Sequence, residues 1–353
     1  MSRRILLTGA TGLVGAQLLS ELKTLPANAD LEIVGTSRGG SKDGSVIPWD
    51  MASGEIPAAL QGPWDVIVNN AADVRWTMAP EEALRANVTT LDGLQSIAGD
   101  DTHVVHVSTA YATGRAGTTE SAELGDYRNT YEWSKAAGER LATERFGQLT
   151  IVRPSLITGR RGDGQAARFA GLYVLLRGIA SSTIPAVPAA KGAYCDVIPV
   201  DDCTRVLADV ALAAPPAAGE RPIYTIAGGT QAPKVDVVVP TMVDALNAWR
   251  AARGIGPFGQ PKLVEPDAWD RFFLAFAREH LTPRQQRALD LLRAYEPYLQ
   301  ITEPRPATHV VTDVIDTIVA SSTAWCDSFA RLAAMPLRPW QARKDREPEE
   351  ATA

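Results

Sequence analysis

The chain predicts an α/β fold, a doubly wound parallel sheet with a helical carboxyl-terminal lobe, and three observations carry that expectation. Short apolar strands alternate with amphipathic helices from Ile5 to Val152, the pattern of a parallel sheet covered on both faces. The opening run R-R-I-L-L-T-G-A-T-G-L-V-G is a strand that breaks into a glycine-rich turn and enters a helix. That arrangement turns backbone N–H groups towards a dinucleotide pyrophosphate. Further along, Y-E-W-S-K sets the Tyr131 phenol and the Lys135 ammonium one turn apart on one helix face. Three glycines alone mark many ordinary turns; joined to a downstream Tyr/Lys pair they point to nicotinamide redox chemistry.

The elements follow in order. Ile5–Thr8 reads as a buried strand, Leu13–Leu25 as its helix, Leu31–Thr36 as the second strand, and Asp65–Val68 as a further strand after the turn Gly62-Pro63. Ala79–Ala98 has helical periodicity, His103–Ser108 is an apolar strand, Thr130–Phe146 a helix and Leu149–Val152 a strand. Beyond Pro154 the pattern changes: helices are expected at Ala166–Ala180 and Asp202–Ala214, with a strand at Ile223–Ile226. From Ala232 to about Ala334 the chain reads as mostly helical, interrupted by Pro257, Pro261, Pro297, Pro304 and Pro306. The expected division is a dinucleotide-binding domain over 1–230, a helical lobe over 231–337, and a charged, proline-containing tail over 338–353 expected to be disordered.

Composition bounds the function. With 353 residues, 45% hydrophobic and 22% charged, the chain has the make-up of a globular protein with a substantial core. A net charge of -6 gives no electrostatic reason to expect nucleic acid as a partner. Cys195, Cys203 and Cys326 are far apart without metal-ligand spacing, which predicts inert thiols and a cytoplasmic location. The four histidines show no metal pattern. No leader is evident, and no run reaches the roughly 18 apolar residues of a membrane helix.

The glycine spacing and the Tyr/Lys pair resemble the short-chain dehydrogenase/reductase superfamily, in its extended branch. N-N-A-A-D-V-R-W (Asn69 to Trp76), H-V-S-T-A-Y (His106 to Tyr111), I-V-R-P-S (Ile151 to Ser155) and P-Y-L (Pro297 to Leu299) narrow the resemblance to the fatty acyl-CoA reductase and thioester reductase group. The resemblance implies a Rossmann-type sheet, with the cofactor held by Gly9, Thr11, Gly12, Leu13, Val14 and Gly15. It implies a catalytic set of Thr109, Tyr131 and Lys135, since in extended members the hydroxyl before the alanine is the catalytic one. Ser108 then supports the turn; strand-end turn chemistry is the plainer reading of both hydroxyls. A nearby ammonium is expected to lower the phenol pKa from its ordinary value near 10.

Cofactor choice turns on the end of the second strand. An NAD site places an acid there to hold the ribose 2′-OH, whereas this chain reads G-T-S-R. Arg38 suits a 2′-phosphate, so NADPH (NADP) is expected, with a solvated loop arginine as the alternative. Asp50 and Met51 edge the expected adenine pocket, although Asp50 also fits simple turn chemistry. Ala71 and Ala72 let the cofactor backbone approach, while Asn69 stands where many extended members have histidine. Pro154 and Ser155 are expected beneath the nicotinamide carboxamide. Asp73 departs from the neutral residue expected beside the substrate, and Asn87 reads either as the helix asparagine of the extended branch or as a surface amide.

On the substrate side, Phe169, Leu172, Tyr173, Leu175, Leu176 and Ile179 crowd one helix; an acyl tunnel and ordinary packing both explain them. Arg160, Arg161, Arg168 and Arg177 offer a phosphopantetheine or CoA phosphate site, or a solvated basic face. Trp76 reads as pocket lining or as core. The expected activity is NADPH-dependent reduction of an acyl thioester, carried by CoA or a carrier protein, to aldehyde or alcohol. The rivals are a ketone or aldehyde reductase, a sugar-nucleotide epimerase or dehydratase, and a non-enzymatic NADP sensor. The resemblance also allows a homodimer.

Overall fold

Runs of β-branched and leucine side chains form the interior strands because, buried on both faces, they need no polar alternation. β1 (Arg3–Thr8), β2 (Leu31–Ser37), β3 (Val46–Pro48), β4 (Val66–Asn69), β5 (His103–Val107) and β6 (Gln148–Pro154) are joined by α1 (Leu13–Thr24), α2 (Pro80–Asn87), α3 (Thr90–Gln95) and α4 (Thr130–Arg145). The computed structural model describes residues 3–24, 31–181, 186–217, 219–274 and 283–335. The expected tail over 338–353 lies outside the described residues.

Beyond β6 come β7 (Leu156–Thr158), α5 (Tyr173–Ala180), β8 (Ala186–Pro188), β9 (Val197–Pro199), α6 (Val200–Leu212), β10 (Ile223–Ala227), α7 (Val235–Ala251), β11 (Lys262–Val264) and β12 (His309–Val310). The central sheet has eight strands in the order β12-β10-β6-β5-β4-β1-β2-β3, and every pairing in it is parallel. The chain winds outwards in opposite directions from β1, so the switch point lies between β1 and β4. Ligands of such sheets bind beyond the strand ends at that crevice. One core cluster includes Ile5, Leu18, Val105, Leu176, Val243 and Ile318; a second gathers Leu6, Trp49, Trp64, Leu91 and Phe146.

Three expectations need correction. The single helix over Ala79–Ala98 is two, α2 and α3, separated at the β-branched run Val88-Thr89-Thr90, which is a poor helix former. The helix expected over Ala166–Ala180 starts only at Tyr173, because Gly171 takes φ +61° just before it. The carboxyl-terminal stretch is less helical than expected: besides α7 and the helices Pro283–Tyr295 and Ile315–Ser328 it supplies β11, paired with β8, and β12, paired with β10. The expected lobe thus contributes an edge strand to the central sheet, docked by the Thr308 N–H to the Thr225 carbonyl at 2.9 Å.

Candidate active site

The glycine turn shows its purpose in what a side chain would strike. Gly9 sits at φ +67°, and a Cβ there would meet the Ala71 backbone at 2.9 Å. A Cβ on Gly15 would lie 2.2 Å from the Gly9 carbonyl oxygen, and one on Gly12 3.1 Å from that same oxygen. The turn closes through Gly12 N–H to Gly9 carbonyl at 2.9 Å, leaving the Leu13 and Val14 N–H groups without an acceptor among the described residues. A bare, glycine-walled helix start at the switch point fits a dinucleotide pyrophosphate, with Thr11 part-buried at its lip.

Thr8, buried under the turn, shapes the opposite wall. Its hydroxyl accepts the N–H groups of Asn70 and Ala71 at 3.1 and 2.9 Å and meets the Asn69 amide oxygen at 3.2 Å. Asn69 in turn donates to His106 Nδ1 at 2.9 Å. The Asn69 side chain is therefore held inside the sheet, and the wall facing the crevice is the backbone around Ala71 and Ala72.

At the end of β2, Arg38 is exposed and makes no hydrogen bond or ion pair among the described residues. Across the crevice Asp73 is held below the usual carboxylate range, first by its hydrogen bond with Arg75 and further by the charges of Arg75 and Arg38. Asp73 grips Arg75 at 2.8 Å, and Arg75 reaches Glu82 at 2.6 Å. Met51 is buried beneath the adjacent loop, whereas Asp50 is exposed and its oxygens accept the Ala52 N–H and the Ser53 hydroxyl. Turn chemistry accounts for Asp50.

Thr109, Tyr131 and Lys135 converge beyond β5. Asn129 caps α4 by accepting the Glu132 N–H at 3.0 Å, and the Glu132 carboxylate accepts the Arg128 N–H at 3.0 Å. This variant of a capping box fixes the helix start. Tyr131 and Lys135 follow on one face. The Tyr131 phenol meets the Thr109 hydroxyl in a hydrogen bond, and the Lys135 ammonium donates to the Val107 carbonyl at 2.7 Å. The Tyr131 ring stays part-exposed while its hydroxyl end lies among protein atoms.

The electrostatics reverse one expectation. Burial raises the Tyr131 phenol above its ordinary range, the Glu132 charge adds to that, and only the Thr109 hydrogen bond opposes it. The Lys135 ammonium is itself pulled down to about 8 by burial, with Glu139 opposing. A buried cation that remains aimed at a carbonyl leaves the phenol neutral, which is the form that gives up a proton.

Ser108 continues the strand, its N–H on the Val152 carbonyl at 2.7 Å, with its hydroxyl buried and unpartnered. Pro154 ends β6, its carbonyl accepting the Ala110 N–H at 2.8 Å. The Ser155 hydroxyl turns to Asp196 at 2.8 Å. Asn87 is no surface amide: it accepts the Asp73 N–H at 2.7 Å and donates to Ser134 at 2.9 Å, tying the crevice wall to α4.

Sequence reasoning missed Asp196. Its carboxylate is buried, raised by that burial, and accepts Ser155 and the N–H groups of Gly228 and Gly229. It clasps the ends of β6 and β10. A lone acid in the run A-Y-C-D-V-I-P was the available signal. Trp76 lies under the carboxyl-terminal segment, stacked on Tyr298 at 4.2 Å with Tyr295 at 4.1 Å, and Tyr111 meets Tyr298 edge-on at 5.0 Å. Asn129 donates to the Tyr298 hydroxyl at 2.8 Å.

The substrate-side expectations divide. Leu172, Tyr173, Leu175, Leu176 and Ile179 all lie buried in the main core, so packing accounts for that face. Arg160 pairs with Asp163, and Arg161 with Asp202 and the Thr312 and Asp313 carbonyls. Arg168 and Arg177 are exposed. The three cysteines are buried and free, no group of metal-binding side chains occurs among the described residues, and no described helix is long and apolar enough to cross a membrane.

Residues 55–207 match the family model described as male sterility protein, an NAD-binding domain. The hybrid PKS-NRPS synthetase poxE of Penicillium oxalicum is 29% identical over 240 residues, 60% of this chain and 6% of that protein's length. Among solved structures, the terminal R domain from the myxalamid PKS-NRPS pathway superposes with a TM-score of 0.65 at 20% identity, covering 95% of this chain and 93% of that one. The thiolation-reductase di-domain from an archaeal non-ribosomal peptide synthetase gives 0.60 at 17%, covering 94% and 92%. A UDP-galactose 4-epimerase gives 0.54 at 17%, covering 92% and 99%.

Proposed function

We propose that this chain, an extended short-chain dehydrogenase/reductase with an NAD-binding region of the male sterility type, reduces an acyl thioester on CoA or a carrier protein, using NADPH. One observation carries the thioester reading beyond the general fold. Trp76 and Tyr298, from the two subgroup strings N-N-A-A-D-V-R-W and P-Y-L, lie far apart in sequence yet stack at 4.2 Å, beside Tyr111 of the catalytic loop. The reductase-domain relatives support the same reading, and the epimerase likeness is one of fold.

The turn at 9–15 and the Ala71–Ala72 wall would hold the dinucleotide, with Arg38 facing a 2′-phosphate. A bound nicotinamide supplies the hydride. Thr109 and Tyr131 donate hydrogen bonds to the thioester carbonyl oxygen as negative charge develops there. Tyr131, held neutral by burial, then hands over its proton, while the Lys135 charge steadies the phenolate left behind. Loss of the thiol frees an aldehyde; a second round on that aldehyde gives the alcohol.

The test is incubation with NADPH and a panel of acyl-CoA and carrier-borne thioesters, following NADPH oxidation and product masses. Free thiol with aldehyde or alcohol is the expected result. Turnover of ketones or nucleotide sugars with no thioester consumed replaces this reading with its rival.

A further inference from the structure

The Tyr131 phenol is carried by the least secure part of its helix. α4 starts at Thr130, so Tyr131 lies in the first turn, where backbone N–H groups have no partner within the helix and ends fray. The cap steadies that turn: Asn129 accepts the Glu132 N–H at 3.0 Å, and the fully buried Glu132 carboxylate accepts the Arg128 N–H at 3.0 Å. Neither side chain is satisfied by the cap alone. The Asn129 NH₂ group has donors left over, and the Glu132 carboxylate has acceptor sites left over.

One hydroxyl serves both. Tyr298 accepts the Asn129 amide N–H at 2.8 Å and donates to the Glu132 carboxylate. An acceptor on that side fixes which way the Asn129 amide points and leaves its oxygen for the Glu132 N–H.

The Tyr298 hydroxyl is itself held rigidly, although it comes from 169 residues further along the chain than Asn129. Pro297 restrains the backbone just before it, and the turn Glu296–Tyr298 closes with the Leu299 N–H on the Glu296 carbonyl at 3.0 Å. The Leu299 and Ile301 carbonyls accept the N–H groups of Ala190 and Tyr194 at 3.0 and 2.7 Å. The ring is clamped between Trp76 at 4.2 Å and the edge of Tyr111 at 5.0 Å. Tyr295 gives the contrast: its ring lies on the same Trp76 at 4.1 Å, but burial alone acts on its hydroxyl.

We infer that Tyr298 is a positioning residue, whose hydroxyl, bonded to Asn129 and Glu132, holds the first turn of α4 so that the Tyr131 phenol stays on Thr109. The catalytic consequence rests on Tyr131 as the proton donor of the reading above; the strut itself rests on the hydrogen bonds.

Steady-state reduction of an acyl-CoA by NADPH, with Tyr298→Phe made alone and in the Tyr131→Phe background, tests the inference. The substitution keeps the stacked ring and removes only the strut. Turnover should fall about ten- to a hundredfold, as a displaced reacting group requires, with the thioester KM nearly unchanged and little further loss in Tyr131→Phe. Tyr295→Phe, the same change on the same stack, should keep the wild-type kcat. A loss carried by KM, an equal fold loss in both backgrounds, or an equal loss in Tyr295→Phe overturns the proposal. Amide hydrogen exchange at Glu132 reads the strut without turnover. It should quicken by about tenfold in Tyr298→Phe and stay unchanged in Tyr295→Phe; an unchanged rate in Tyr298→Phe overturns the proposal. Should Tyr298→Phe fail to fold, Asn129→Ser takes its place. Serine caps as well as asparagine but carries no amide N–H for Tyr298, and wild-type kcat in that variant overturns the proposal. Faster exchange in Tyr298→Phe with no thioester turnover by the wild type refutes the reductase reading alone, and thioester turnover that Tyr298→Phe leaves intact refutes the strut alone.

Discussion

The part of the chain up to β6 and the part after it are built by different means. Before Pro154, each strand of the sheet is followed by its own turn or helix, and the candidate site residues stand at strand ends a few residues from the motif that marks them. After Pro154, the structure is sewn together by distant pairs: β8 with β11, β10 with β12, and Thr158 with Ser321 at 3.0 Å. The first part sets chemistry by local geometry. The second sets what reaches that chemistry, through contacts no local pattern announces.

Substitutions in the two parts should therefore fail differently. Leu176→Ala, in the core face of α5, should cost about 2–5 kcal/mol of stability and lower activity alike for every acyl length. A chain-length series beside a thermal melt checks this; a selective loss for long chains would put the acyl site on α5 and break the comparison. Arg38→Ala should leave the melt unchanged and weaken NADPH by about 1.5–3 kcal/mol, roughly one to two decades, with little change for NADH. Equal losses for both cofactors would show that Arg38 does not read the 2′-phosphate.

Acid should weaken the sheet half. Burial holds His103 down to about 4, so its contribution is present above an unfolded pKa near 6.5 and is lost as pH falls towards the folded value. At about pH 5 the loss is of order 1–2 kcal/mol, and His103→Gln should flatten that part of the stability–pH curve. An identical acid slope in the variant would assign the loss to other groups.

Legibility follows the same line. The glycine turn, the parallel alternation of strand and helix up to β6 and the meeting of Thr109, Tyr131 and Lys135 were readable because each depends on near neighbours and on one periodicity. The break between α2 and α3 was missed because helical periodicity outlasts the β-branched run that interrupts it. Asn69 reads in sequence as cofactor wall and Asn87 as a helix asparagine or a surface amide, yet their amides bind His106 and Asp73, partners set by sheet register and helix packing. The raised Tyr131 phenol was misjudged because proximity to Lys135 is visible in sequence and burial is not. The arginine-lined cavity of 810 Å³ had no signature, since its wall joins the loop 110–117 to Arg128, Arg153, Thr225 and the segment 293–306.

The central claim is that Tyr131, kept neutral by burial and joined to Thr109, supplies the proton when a thioester is reduced. Single-turnover reduction of an acyl thioester by Tyr131→Phe, with NADPH affinity measured on the same preparation, tests it most directly. The rate should fall a hundredfold or more, as loss of an oxyanion donor worth about 2.7–4 kcal/mol requires, with NADPH affinity nearly unchanged. An undiminished rate would contradict the account.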